Sequence, residues 1–168
     1  MEFMQWLISL GADVSIRSMF NQSILSKAIV DGDMKVVDFL LAKEKDIDSD
    51  LLHGAAQRSN KAEGAIIATR LLELGAKIDA HHYDNNNEML RNRWFSKRGT
   101  PLHTACSEQN VPVTEVLLRH GADPDARMLE QDQESGPTPV NIAEKKSNAE
   151  LCDMLTAQRL QSKLQVSP

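Results

Sequence analysis

The residues best suited to chemistry lie between positions 81 and 106. His81, His82 and Asp84 are metal-binding types, but neighbours in one loop lack the spacing from which a ligand set is built. Cys106 sits in an apolar helical stretch, where a small core residue is a plainer reading than a nucleophile. There is no Gly-rich phosphate loop, no G-x-S-x-G and no H-E-x-x-H. No catalytic residue, metal or cofactor is assigned, and the chain is not expected to be an enzyme. Met89 to Arg98 offers a different chemistry: it joins Trp94 and Phe95 to Arg91, Arg93, Lys97 and Arg98 with no acid. Trp and Arg are common interface anchors, and the same mixture can stack on bases or grip phosphates. Protein contact ranks first for this segment, packing of the aromatics beneath the loop second, nucleic acid last.

The elements that must position these residues follow from composition and pattern. At 168 residues the chain suffices for one domain with a sizeable core. Aromatics make up only 4%, so the core must come from Leu, Ile, Val, Ala and Met, which suits stacked helices better than a sandwich of sheets. The net charge of −5 gives no general attraction for nucleic acid or an anionic membrane. No apolar run approaches the roughly 20 residues that span a bilayer, and the N-terminus does not read as a secretory leader. Cys106 and Cys152 read as free thiols, which points to an intracellular, cytoplasmic or nuclear location.

One segment recurs along the chain. It runs Trp6-Leu7-Ile8-Ser9-Leu10-Gly11-Ala12-Asp13, then Phe39-Leu40-Leu41-Ala42-Lys43-Glu44, then Leu71-Leu72-Glu73-Leu74-Gly75-Ala76, then Leu117-Leu118-Arg119-His120-Gly121-Ala122-Asp123. The intervals at the Gly position are 33, 31 and 46 residues. Physically this is a helix end: an apolar pair packs down, and Gly supplies the left-handed residue that closes the helix. Glu44 replaces Gly in the second copy, which either costs about 1 kcal/mol of strain or means a different helix ending. Upstream lies Thr100-Pro101-Leu102-His103-Thr104-Ala105, with a variant at Thr138-Pro139-Val140-Asn141-Ile142-Ala143. Thr100 is placed to cap a helix, Pro101 to occupy its first turn, and Leu102 and Ala105 to face inward together.

These residues resemble ankyrin repeats. Thr100, Pro101, Leu102, His103 and Ala105 match the T-P-L-H-x-A pattern, and Leu117 to Asp123, with Gly121, matches the close of the second helix. The resemblance implies an all-α solenoid of antiparallel helix pairs with short β-hairpin fingers. It gives a repeat domain over 1–157, opening on a half-repeat, and a helix end and tail over 158–168. It implies helix pairs at 24–43, 51–74, 101–120 and 138–157. It implies that the imidazole of His103, and of His53 in the equivalent place, hydrogen-bonds backbone and fixes the turn. It also implies a non-enzymatic interaction scaffold that binds a protein through its concave face. Carried over, that face comprises Met19, Phe20, Gln22, Val30, Asp31, Gln57, Arg58, Ser107, Glu108, Lys145 and Lys146, with Lys97 and Arg127 on finger flanks.

The chain departs from the pattern in ways that sharpen these expectations. The finger of repeat two is missing, and an insert near Lys61-Ala62-Glu63-Gly64 is expected to lengthen an inter-helix loop. The missing finger and the Glu44-for-Gly exchange make residues 44–65 the expected weak joint. The finger over 81–98 is enlarged by about 13 residues, and Arg127 to Gly136 by about five, lengths that mark function or disorder. The finger's cations imply a partner with an acidic surface, with Trp94 as anchor. Membrane, nucleic acid and small molecules are not expected partners. The opening half-repeat suggests a piece of a longer array; the alternative is that Trp6 seals the end. Two alternatives remain. One is a regulatory domain of a larger enzyme; the other is a hydroxylase substrate modified at Asp48, Asp79 or Asp125.

Overall fold

Helices form where the recurring segments place them, and each begins and ends for a local reason. The structure is a computed structural model; it describes residues 2–18, 22–44, 47–48, 50–83 and 97–165, with the backbone alone of residues 3, 163 and 165. Helix α1 covers Glu2–Ser9, α2 Ile24–Asp31, α3 Met34–Leu41, α4 Asp50–Gln57 and α5 Lys61–Glu73. After strand β1, Lys97–Arg98, come α6, Pro101–Ser107, and α7, Val111–Arg119. Strands β2, Leu129–Glu130, and β3, Gln133–Glu134, precede α8, Pro139–Lys145, and α9, Ala149–Gln165. The second helix of each pair starts after an Asp or Asn whose side chain takes up a free amide: Asp33, Asn60, Asn110 and Asn148.

The endings are as regular. Gly11, Gly75 and Gly121 each have φ near 91°. At Gly121 the amide bonds Leu118 O at 3.0 Å, and that of Ala122 bonds Leu117 O at 3.0 Å, so the last carbonyls of α7 are satisfied. Glu44 does not take the left-handed form, and its amide bonds Leu40 O and Leu41 O instead. The second copy thus ends its helix differently and carries no such strain.

The first helices α2, α4, α6 and α8 stack side by side as one layer, and α5, α7 and α9 stack behind them. This is a helical solenoid. Its core runs through both layers and is almost wholly Leu, Ile, Val and Ala, with Cys106 among them. Met contributes only half-buried side chains such as Met34 and Met154. At the opening end Trp6 is 55% exposed, so it does not seal the stack. Among the described residues no helix is long and apolar enough to cross a membrane.

One expectation needs correction, and a second meets an opposing observation. Lys61–Gly64 is not a longer loop: it is the first turn of α5, which reaches 13 residues where α3 has 8 and α7 has 9. Asn60 caps the added turn, and Gly64 lets it close on α4; a Cβ there would meet Ala55 O at 2.6 Å. Nor does burial single out 44–65 as the weak joint. Leu51 through Ala56 are buried without interruption, and Arg58 is tied to the preceding repeat. Buried, bonded segments open last, so amide exchange at Leu52 and Ala55 should be no faster than at the buried Leu102 and Ala105 of α6, read by mass spectrometry. Faster exchange at Leu52 would restore the weak-joint reading.

Candidate functional site

The enlarged finger and its neighbour form a small antiparallel sheet in the order β1-β2-β3. Lys97 lies opposite Glu130 and Arg98 opposite Leu129. The β2–β3 hairpin turns through Gln131 and Asp132, both at positive φ, as a two-residue type I′ turn requires. Arg98 Nη2 donates to Asp132 Oδ1 at 2.7 Å and fixes that turn to the finger root. At the other root, His82 N–H donates to Gly99 O at 3.0 Å and Tyr83 N–H to Asp50 Oδ1 at 2.9 Å. The His82 ring lies stacked on His53 at 4.3 Å and on Tyr83 at 4.0 Å between centroids. Burial pushes His82 down to about 4 and His53 well below the usual imidazole range, so the stack is neutral.

His103 performs the role expected of it. Its Nδ1 accepts from Thr100 N–H at 3.0 Å, which leaves Nε2–H to donate to Pro137 O at 3.0 Å in the next finger. Thr100, Pro101, Leu102, His103 and Ala105 are all buried. His53 matches it only in part: Nε2 lies 3.4 Å from Ala80 O in the next finger, but Nδ1 meets Thr104 Oγ1 of α6 at 2.7 Å rather than the backbone of its own turn. Cys106 is fully buried, and burial pushes its thiol up to about 12, which leaves no thiolate for nucleophilic attack at neutral pH.

Between the sheet and helices α6 and α8 lies a groove of about 790 Å³. It gathers residues from separate parts of the sequence expectation: Gln57, Lys97, Ser107, Glu108, Lys145 and Lys146. Lys97 is held by Glu130 at 2.9 Å. A smaller hollow of about 230 Å³, sharing Gln57 and His82, continues along the same face and includes Gln22 and the half-buried Val30. Asp31 is exposed nearby and paired with Lys27. Sequence reasoning missed Met128, Pro137, Asn141 and Ile142 as groove lining. Asn141 carried a signal, since it stands where the T-P-x-x pattern places a capping partner for Thr138.

Arg58 is a correction. Expected on the contact face, it is 7% exposed and works inside the fold. Nη1 donates to Ile29 O at 2.7 Å and Ala28 O at 3.2 Å, and Nη2 to Gly32 O at 2.6 Å. Both Nε and Nη2 also donate to Glu63. A guanidinium suits this place because its planar fork can serve several carbonyls at once. Arg98 is likewise buried rather than offered to a partner. Met19, Phe20, Arg91, Arg93, Trp94 and Phe95 lie outside the described residues, as does Asp84. Of the candidate modification positions, Asp48 is buried and paired with Arg17 at 2.7 Å, Asp79 is half-buried, and Asp125 is exposed and paired with Arg159.

Comparison with known proteins agrees with this architecture. The family model described as ankyrin repeats (3 copies) matches residues 52–165. The Nuclear factor NF-kappa-B p105 subunit of Gallus gallus is 29% identical over 158 residues, which is 93% of this chain. The chain spans only 15% of that relative's length. The Thr-Pro-Leu-His turn, the glycine-closed helices, the two stacked layers and the family match together place this chain in the ankyrin-repeat family.

Proposed function

We propose that the chain is a non-enzymatic scaffold that binds a protein partner through its concave face, with the groove beside α6 and α8 as the main seat and the finger 81–98 as a second contact. Ankyrin repeats are in general protein–protein interaction modules. The observation that carries the finer reading is the convergence of Lys97, Glu108 and Lys145 with Gln57, Ser107 and Lys146 in one groove. The bonds of His103 and His53 hold the finger bases against the helices, so the groove walls are set before a partner arrives. Trp94, in the finger, is the anchor this reading assigns to the second contact.

The test is capture of a partner by the whole chain, followed by affinity measurement on variants. Lys145→Ala and Trp94→Ala should each weaken binding, Trp94→Ala by about 2 kcal/mol. Glu115→Ala, on the outer layer and paired with Arg119, should leave it unchanged. A partner insensitive to the first two and sensitive to the third would move the contact to the outer face.

A further inference from the structure

The groove beside α8 differs in charge from the chain that carries it. The whole chain has a formal charge of −5, yet Lys97, Lys145 and Lys146 line the groove against one acid, Glu108. Lys97 is engaged by Glu130. Lys145 and Lys146 are both exposed and stand at the C-terminal end of α8 with no ion pair among the described residues. A cation there favours the helix dipole, but that alone does not place it at the rim of a groove. Beside the lysines, Met128, Pro137 and Ile142 supply a half-buried apolar wall. The smaller hollow at the other end of the face is electrically mixed, because its Lys27 is paired with Asp31. The concave face therefore has one cationic end next to an apolar shelf.

We infer, building on the protein-binding reading, that this end takes an extended acidic segment of the partner, with a carboxylate at Lys145 and Lys146 and an adjacent apolar side chain on Met128 and Ile142. Alternation along an extended chain supplies that pair, since neighbouring side chains point to opposite sides. Lysines are point charges without the arginine fork, which matches single carboxylates better than planar two-pronged recognition. Their local field also steers an acidic segment toward this end of a chain that otherwise repels it.

The experiment uses the full chain and three fluorescein-labelled octapeptides: alternating Asp-Leu, alternating Asn-Leu and alternating Lys-Leu. Anisotropy titration should show Asp-Leu binding about tenfold or more tighter than Asn-Leu, with the gap closing as salt rises. The double variant Lys145→Glu with Lys146→Glu should reverse the preference toward Lys-Leu. Both positions are exposed, so its melting temperature should match the wild type. Ile142→Asn should weaken Asp-Leu binding in wild-type charge. Equal binding of Asp-Leu and Asn-Leu, an unchanged preference in the double variant, or no binding below about 1 mM would each overturn the inference. If capture of a partner still depends on Lys145→Ala when the Asp-Leu peptide fails, the groove is a binding site but its chemistry is not acidic-segment recognition.

Discussion

Arg58→Ala should lower the unfolding free energy by about 3–5 kcal/mol, the largest loss expected of any single exposed-looking residue in the sequence. The side chain is 6% exposed and serves the carbonyls of Ala28, Ile29 and Gly32, which are the last acceptors of α2. Truncation removes the side-chain donor of the buried Ile29 carbonyl and of the half-buried Gly32 carbonyl, while Ala28 O keeps the Gly32 amide at 2.7 Å, and each orphan costs about 1–3 kcal/mol. The ion pair with Glu63 adds little, because that carboxylate is a third exposed and screened by water. Arg58→Lys should recover only part of the loss, since an ammonium cannot reach all three carbonyls with fixed geometry. Urea denaturation followed by circular dichroism measures both. A loss below about 1 kcal/mol for Arg58→Ala would mean that water replaces the guanidinium, and the clamp would then be incidental.

Acid should destabilise the chain in a defined window. His82 and His103 are each lowered from 6.5 to about 4, chiefly by burial, and burial also holds His53 well below the usual imidazole range. Between those limits the unfolded chain binds protons that the folded chain does not, so stability falls as pH falls. The contribution is intact above pH 6.5 and is lost progressively toward pH 4. Each of the two rings accounts for about 3 kcal/mol over that range if the whole difference is expressed. For His82 the surroundings are His53 and Tyr83 in the stack, with Asp48 and Asp50 close enough to favour its charged form. His82→Phe keeps a ring in the stack but cannot take a proton. Its stability should therefore decline less between pH 6.5 and 4.5 than that of the wild type. Parallel declines for the two proteins would show that His82 does not titrate in this window.

Much of the fold was legible because its devices are local. A Gly at the left-handed position and a Thr-Pro first turn act within one helix end, so Gly121 and Thr100 could be read without knowing their neighbours. Arg58 could not be read in that way. A long cation just after a helix looks solvated in sequence, and its true partners are carbonyls some thirty residues earlier. The added turn of α5 was misread because Gly64 signals a loop, whereas its missing side chain permits close approach to Ala55. Half of the groove was visible as a family position, as with Glu108 and Lys145. Met128 and Ile142 come together only because distant parts of the chain line one groove, and no spacing rule encodes that.

Donors from the buried side chains of Arg58, Asn110, His53 and His103 join neighbouring repeats in opposite directions on the two sides of the stack. On the loop side they point backward: Arg58 serves Ile29, and Asn110 serves Ala56. On the finger side they point forward: His53 reaches Ala80, and His103 reaches Pro137. The junction between the α4–α5 and α6–α7 pairs is thus stitched from both of its members, and neither keeps all its bonds when the other is removed. A cut made there strands a buried donor whichever side is discarded. The indivisible unit of this array is the seam between two repeats, so its natural lengths are counted in seams, and shortened versions should be designed by rebuilding the terminal seam with a polar cap rather than by trimming a repeat.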